Sequence, residues 1–437
     1  MTREFDIPLD NHRRMFGAFL AAHAIPDAVD VLFTGVGCKS KAQRQLAMHD
    51  RVREAGNKMV WADVGDVQLI SGPAERLRDM TVETVRRRGN VGLVLITDSA
   101  AMELTGTDVE AVLPAIRRQV GCPVVHVGTA GWDGDAFLGY AEAVSAVFAL
   151  PSWKAARGDR RSVNVVGYVF DRYEHDHAAN LIELRRLLEG LGLRLNATFL
   201  SGVPLRSLLG APAAGVNLLL PYARSMRATA SRTARRPAAP CVLPVGLGGT
   251  ARFLEDAARG AGVPVKAARA RAAEEGERLG PALRVAREGL AGVRVGILAD
   301  TPTAAGLAGL LRELGAEPVL AGLLDRSLGG DEGFRETLAA AGHDAGACVV
   351  LPDPTAQEVE SACGELRHGA RARGGRPFDV LIAPDLWLPR AATDGTARLE
   401  LGFASNRRHA VAPSPFLGFS GVLSLAQRLL DAAHRVH

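Results

Sequence analysis

The residue types best suited to metal or redox chemistry here are five cysteines, Cys38, Cys122, Cys241, Cys348 and Cys363. Their spacing limits what they can do. No two form a CxxC pair, which argues against a self-contained zinc or iron–sulfur site. An odd number also argues against a disulfide framework. Cys122, Cys241 and Cys348 lie in the apolar, strand-like runs GCPVVHV, PCVLPVG and ACVVLP, where cysteine acts as a small buried hydrophobe. Cys363, in EVESACGELRHG, reads as helical. Cys38 alone lies in a glycine-rich turn, FTGVGCKSK, between an apolar run and a polar one. By its surroundings it is a nucleophile, a metal ligand or a small residue in a strand-to-helix turn. Lys39 and Lys41 beside it would lower the pKa of a thiol.

Other chemical signatures are sparse. The sequence has no GxxxxGK[ST], no GxSxG and no HExxH, so it carries no Walker P-loop, hydrolase elbow or zincin helix of its own. VGLGGT (245–250) follows a strand-like run and precedes a helical one, and forms either a tight turn or an anion site on its amides. EHDH (174–177) is rich in ligand types, but neighbours in one loop cannot all face one metal. It reads as a polar loop with Asp176 near a helix N-cap. The segment 223–237 holds five arginines and no acid, and is either a solvated face or a docking surface for an acidic protein or ligand.

The elements that must position these residues follow from the apolar pattern. Near-continuous Val/Ile/Leu runs, among them VDVLFTG, NVGLVLITD, SVNVVGYV, VRVGILAD, FDVLIAPD and HAVAPSP, suit strands covered on both faces. Helical stretches such as HAANLIELRRLLEGLG and TAAGLAGLLRELGA alternate with them, each closing on glycine. Strand and helix in alternation predict an α/β protein of doubly wound, Rossmann-like domains with mainly parallel sheets. Two turn-rich or polar breaks divide the 437 residues into expected domains at 1–158, 159–288 and 289–437. The second domain would end in a long Ala/Arg/Glu helix, 266–288, interrupted at Gly276 and Gly280-Pro281.

Composition narrows the class. Hydrophobic content of 47% and charged content of 23% describe a globular chain. A net charge of +4 gives no nucleic-acid footprint, and no apolar run approaches the roughly 20 residues that cross a bilayer. The N-terminus carries acids and lacks the apolar core of a secretory leader, so the cytoplasm is the expected location.

Several stretches occur in an order that points further: MFGAFLAA (15–22), FTGVGC (33–38), LISGPAERLRD (69–79), TDSAAMELTGTDVEAV (97–112), VVHVGTAGWDGDAFLGYAEAV (124–144), LPVGLGGTARFL (243–254), VRVGILAD (293–300) and SPFLGFSGVLSLAQRLL (414–430). Together they resemble the component 1 family of nitrogenase and its relatives, over some 400 residues. That family includes the molybdenum–iron protein subunits, the paired cofactor-assembly scaffold proteins, and the dark-operative protochlorophyllide and chlorophyllide reductases. The resemblance implies an iron–sulfur cluster at the interface of two related subunits, with thiolates from loops of both. Two of the three positions that carry cysteine in nitrogenase subunits fall near Arg13 and Ala100, and both lack it. Only the middle one remains, as Cys38. This pattern resembles the one-cysteine partners in the scaffold pair and in chlorophyllide reductase. It implies a [4Fe–4S] cluster that takes one thiolate from Cys38 and three from a paralogous subunit. Gly37 and Lys39 would frame the ligand, the glycine by admitting backbone amides to the sulfur and the lysine by its charge.

The resemblance further implies that an ATP-dependent iron–sulfur reductase, encoded separately, supplies electrons, so ATP enters only through that component. The small molecule handled would be a reducible substrate, or a metal cofactor precursor if the chain is a scaffold subunit. A degenerate regulatory subunit without a cluster is a third reading. No nucleic acid or membrane is implied, and assembly is αβ or α₂β₂. The chain ends at His437, soon after SPFLGFSG, without the extension expected of the ligand-poor subunit of the tetrapyrrole enzymes. Among other matched positions, Glu103, Thr107 and Asp108 would cap a helix or shape the cluster pocket. His126 would be a satisfied residue at a strand end, and Trp132 and Phe137 would pack near a subunit interface. Arg407, Arg408 and His409 fall in a segment that lines the active-site cavity in relatives.

Overall fold

The apolar runs become strands that are covered on both sides. Ala28–Thr34 (β1) and Leu93–Asp98 (β3) are buried at every position. The computed structural model describes residues 12–40, 59–65, 72–99, 102, 106–129, 134–150, 157–168, 176–226, 236–368, 375–385, 387–388, 395–402, 408 and 411–434. With β2 (Met59–Asp63) and β4 (Val124–Val127), the first sheet has the order β2-β1-β3-β4, and its pairings are parallel. A second sheet repeats that order with β6 (Arg194–Thr198), β5 (Asp159–Val166), β7 (Ala214–Leu219) and β8 (Ala238–Pro240). The third runs β11-β10-β9-β12-β13, from Val349–Pro352, Glu317–Leu323, Arg294–Ala299, Val380–Ala383 and Ala397–Glu400, all paired in parallel. Each order reverses direction beside its first strand, as in doubly wound Rossmann-like folds. The fold is α/β with sheets of this kind.

Helices connect and cover the strands. They are α1 (Arg14–His23), α2 (Pro73–Arg88), α3 (Val109–Arg117), α4 (Ala136–Phe148), α5 (His177–Glu189), α6 (Gly246–Ala261), α7 (Val265–Leu290), α8 (Thr301–Glu313), α9 (Gly330–Ala340), α10 (Ala356–His368) and α11 (Gly418–Ala433). The chain forms two compact units. One contains the described residues of His12–Tyr173 and Leu195–Ala238, with the first two sheets. The other contains those of Glu174–Arg194 and Ala239–His437, with the third sheet and helix α5. In the first unit, α1 and α4 cross at glycines. A Cβ on Gly17 would lie 1.6 Å from the Ala136 carbonyl oxygen, and one on Gly139 would lie 1.8 Å from that of Arg14. Only hydrogen fits between the two backbones.

Three local expectations need correction. PCVLPVG forms no strand: β8 ends at Pro240 and residues 241–245 are irregular, because Pro240 and Pro244 cannot donate to a ladder. HAVAPSP is likewise no strand over its described part. Val411 is fully exposed, and the edge of the third sheet is instead the more polar ARLE of β13. The long helix α7 is not interrupted. It runs 26 residues through Gly276, Gly280 and Pro281. Its anchor is Glu275, buried on α7, which accepts from Arg271 at 2.8 Å and Arg278 at 2.7 Å and also pairs with Arg186 of α5. The first two bonds lie within α7, and the Arg186 pair ties the helix to α5.

Candidate functional site at the crest of the first sheet

In a sheet of order β2-β1-β3-β4, the crevice opens outside the carboxyl ends of β1 and β3, where connections depart in opposite directions. Cys38 lies there. Residues 36–40, directly after β1 and Gly35, are helical, so Cys38 occupies the first turn of a helix and not the open loop its glycines suggest. Helix formation follows from the backbone bond of Lys39 N to the Gly35 carbonyl and from Ser40, whose hydroxyl donates to the Val36 carbonyl at 2.9 Å. Free amides of a first turn favour negative charge on a nearby sulfur. The thiol is half-buried, and a Cβ on Gly35 or Gly37 would meet nothing within 4 Å, so the approach to it is open.

Lys39 is held above Trp61 of β2, with Nζ 3.7 Å from the ring centroid. The same indole donates through Nε1 to the Thr34 carbonyl at 2.7 Å. Trp61 therefore fixes the end of β1 and places a cation one residue from Cys38. The hydroxyls of Thr34 and Ser99, at the ends of β1 and β3, are buried and find no hydrogen-bond partner among the described residues. Among the described residues no group of three or more His, Cys, Asp or Glu side chains could hold a metal ion. The described site thus offers one thiol.

The neighbouring strand ends carry a second polar constellation. Asp98 closes β3 and accepts from the Thr129 amide at 2.8 Å, while the Thr129 hydroxyl donates to its carbonyl. Its other carboxylate oxygen lies 3.1 Å from His126 Nε2, and Glu110 of α3 lies 2.8 Å from His126 Nδ1. Both partners are acceptors, so the imidazole is bonded best as a cation donating from both nitrogens. Burial opposes that charge, but the bonds and charges of Asp98 and Glu110 prevail and raise the His126 pKa above its usual value. His126 is a satisfied residue on β4, as its sequence context implies. Asp98, the hub of this arrangement, is signalled in the sequence only as the polar end of VLITD.

Other expected residues sit as follows. Arg13 is extended and exposed just before α1, while Arg14 pairs with Glu142 of α4 and donates to the Gly128 carbonyl at 3.1 Å. Asp108 caps α3 by accepting from the Ala111 amide at 3.1 Å. Phe137 is buried within its own unit, stacked on Tyr222 at 5.5 Å between centroids. Lys41, Ala100, Glu103, Trp132, Arg407, His409 and residues 227–235 of the arginine-rich segment lie outside the described residues. The VGLGGT amides do receive an anion, but it is internal. Leu247 N and Gly248 N donate to the two carboxylate oxygens of Glu313 at 2.6 and 2.7 Å. Asp176 precedes α5 without capping it by its side chain. It pairs with Arg408 at 2.6 Å instead.

The remaining cysteines are poor ligands. Cys241, Cys348 and Cys363 are buried. Burial raises the thiol pKa of Cys122 and Cys363, and pushes that of Cys348 up to about 11. Cys348 immediately precedes β11, and Cys122 precedes β4 with Pro123 between, so both lie just outside their strands. In a parallel sheet that puts Cys122 at the edge opposite Cys38. No helix among the described residues is long and apolar enough to cross a membrane.

Comparison with known proteins places the chain in a family and a fold. The sequence matches the family described as nitrogenase component 1 type oxidoreductase over residues 14–434. It is 31% identical over 173 residues to the nitrogenase iron-molybdenum cofactor biosynthesis protein NifN of Rhodobacter capsulatus, covering 38% of this chain and 37% of that protein. It is 26% identical over 298 residues to one of the subunits of the light-independent protochlorophyllide reductase of Heliobacterium modesticaldum, covering 65% and 54%. The chain thus spans between about a third and about half of these curated relatives. Among solved structures it resembles nitrogenase Cp1 at pH 6.5, with a TM-score of 0.79 at 17% identity, covering 100% of this chain and 94% of that one. The same protein at pH 5 gives 0.76. At that identity the likeness concerns the fold.

Proposed function

This chain belongs to the nitrogenase component 1 family, and from that premise we propose that it is one subunit of a nitrogenase-like oxidoreductase, contributing Cys38 to a [4Fe–4S] cluster shared with a paralogous partner. The observation that carries the reading is the place of Cys38: an approachable thiol on a helical first turn at the switch point of the first sheet, with Lys39 one residue away. When bound, such a cluster takes up and releases single electrons. Cys38 would hold one iron. Lys39 would add positive charge one residue away. Gly37 keeps the approach free of a side chain. The electrons would come from a separate ATP-dependent iron–sulfur reductase and end on a small-molecule substrate, in the cytoplasm.

The match to NifN, named for cofactor biosynthesis, favours a second reading, in which the chain is a scaffold subunit that carries a metal cofactor precursor. The two readings separate in one experiment. The chain is purified anaerobically with its genomic neighbour of the same family, then given reductant through the ATP-dependent component. Substrate reduction with the cluster retained is the outcome expected for the reductase. Transfer of the metal cluster to an apo-protein without any reduction is the outcome expected for the scaffold. A complex that contains neither iron nor sulfide removes both and leaves the regulatory reading.

A further inference from the structure

Strand β4 is the outer strand of the first sheet, and a cavity of about 660 Å³ lies against it, walled by α3 and by the end of α4. Such a volume is in the range of small-molecule sites. Its walls are mainly apolar, and part of that surface is open to an occupant. Pro123 and Ala146 are half-buried, and Ala149 is exposed. Cys122, also half-buried, lines the cavity beside them.

Arg117, in the last turn of α3, stands on the same cavity and is fixed there without being used up. Its Nε and Nη2 donate to the Val124 carbonyl at 3.2 and 2.9 Å, which covers part of the outer edge of β4. A guanidinium carries five N–H donors in a planar fork. The edge formed by Nη1 and the second N–H of Nη2 therefore has no acceptor among the described residues. Arg117 is exposed, so this edge can be reached from water. Two parallel N–H donors of this kind match the two oxygens of a carboxylate. The other charged groups on the lining, Glu110 and His126, are paired with each other at 2.8 Å.

We propose that this cavity binds a small organic carboxylate with an apolar body, the carboxylate on the Nη1–Nη2 edge of Arg117 and the body against Pro123, Ala146 and Ala149. The Val124 carbonyl holds the guanidinium in place beforehand, so little side-chain freedom is lost on binding. Cys122 precedes the start of β4 and Cys38 follows the end of β1 in a parallel sheet, so the site is separate from the proposed cluster and does not depend on it.

Octanoate, its neutral isostere octanamide, and acetate are suitable probes on the full chain. Binding is read by calorimetry, and the place of binding by alkylation with iodoacetamide followed by peptide mass spectrometry. Octanoate is expected to slow alkylation of Cys122 and to leave that of Cys38, the other half-buried thiol, unchanged. It should bind about five- to tenfold more tightly than octanamide, which lacks the charge-assisted pair. Acetate, without an apolar body, should bind at least about tenfold more weakly than octanoate. Arg117→Gln keeps an N–H for the Val124 carbonyl but removes the charge, and should reduce octanoate binding to the octanamide level. Ala149→Trp leaves Arg117 intact and fills the cavity from an exposed position, and should abolish binding. Equal binding of octanoate and octanamide, acetate binding as tight as octanoate, undiminished octanoate binding in either variant, or Cys38 protected as much as Cys122 would overturn the proposal.

Discussion

Asp30 lies in the middle of β1, fully buried, with one carboxylate oxygen accepting from the Thr97 hydroxyl at 2.8 Å and the other without a partner among the described residues. Burial lifts its pKa to about 7, against the smaller opposing effect of Thr97. The folded carboxyl therefore binds its proton more tightly than the unfolded one. That contribution is complete at pH below the ordinary carboxylate value and is lost as pH rises toward 7. Asp30→Asn should remove the part of the pH dependence that Asp30 contributes and be more stable than the parent at pH 8 by roughly 2–4 kcal/mol, measured by urea unfolding. A parent whose stability does not fall between pH 4 and 7 would contradict this account of Asp30. His126 has the same sign. Its raised pKa stabilises the fold below the usual imidazole value, and that stabilisation fades as pH passes through the raised value. The difference in stability between the parent and His126→Ala should be greatest at pH 6 and shrink by pH 9. The surrounding charges that set the pKa are Asp98 on β3 and Glu110 on α3.

At the level of elements, two contacts bear most on the arrangement. The α1–α4 crossing depends on Gly17 and Gly139, and Gly139→Ala should cost about 3 kcal/mol or more, since backbone must separate to admit the methyl group. The α6 start depends on Glu313, which bonds two of its amides and also receives His343 at 3.2 Å. Glu313→Ala should lower stability by about 2 kcal/mol, as a thermal or urea midpoint would report. The same elements explain what could be read from sequence. Strands buried on both faces, such as β1, β3 and β9, announce themselves as apolar runs. Edge strands do not: β2 and β13, MVWAD and ARLE, gain their conformation from pairing, and their residues alone do not ask for it. Pro-containing runs such as HAVAPSP imitate strands in composition while lacking the donors a ladder needs. Cys38 was legible because cysteine beside two glycines after a strand is a rare combination. The Trp61 side chain that holds Lys39 and the Thr34 carbonyl was not, because it reaches them through the fold. The Glu313 cap of VGLGGT was hidden for the same reason, with 65 residues separating Glu313 from Gly248.

For the whole molecule, family membership and the doubly wound sheets are firm, and the proposed role rests on a thiol that needs a second chain. The proposed share of one fourth of a coordination sphere rests on a single approachable thiol at the crest of the first sheet, with the other four cysteines buried or held at raised pKa or both. The measurement that tests this most directly is iron and sulfide content, with the electron paramagnetic resonance spectrum, of the anaerobic complex with the paralogous subunit. The parent and a Cys38→Ala variant that still forms the complex are compared. The account predicts a four-iron cluster per subunit pair in the parent, and its loss or conversion to a three-iron species in the variant. Iron, sulfide and spectrum unchanged by the substitution would contradict it.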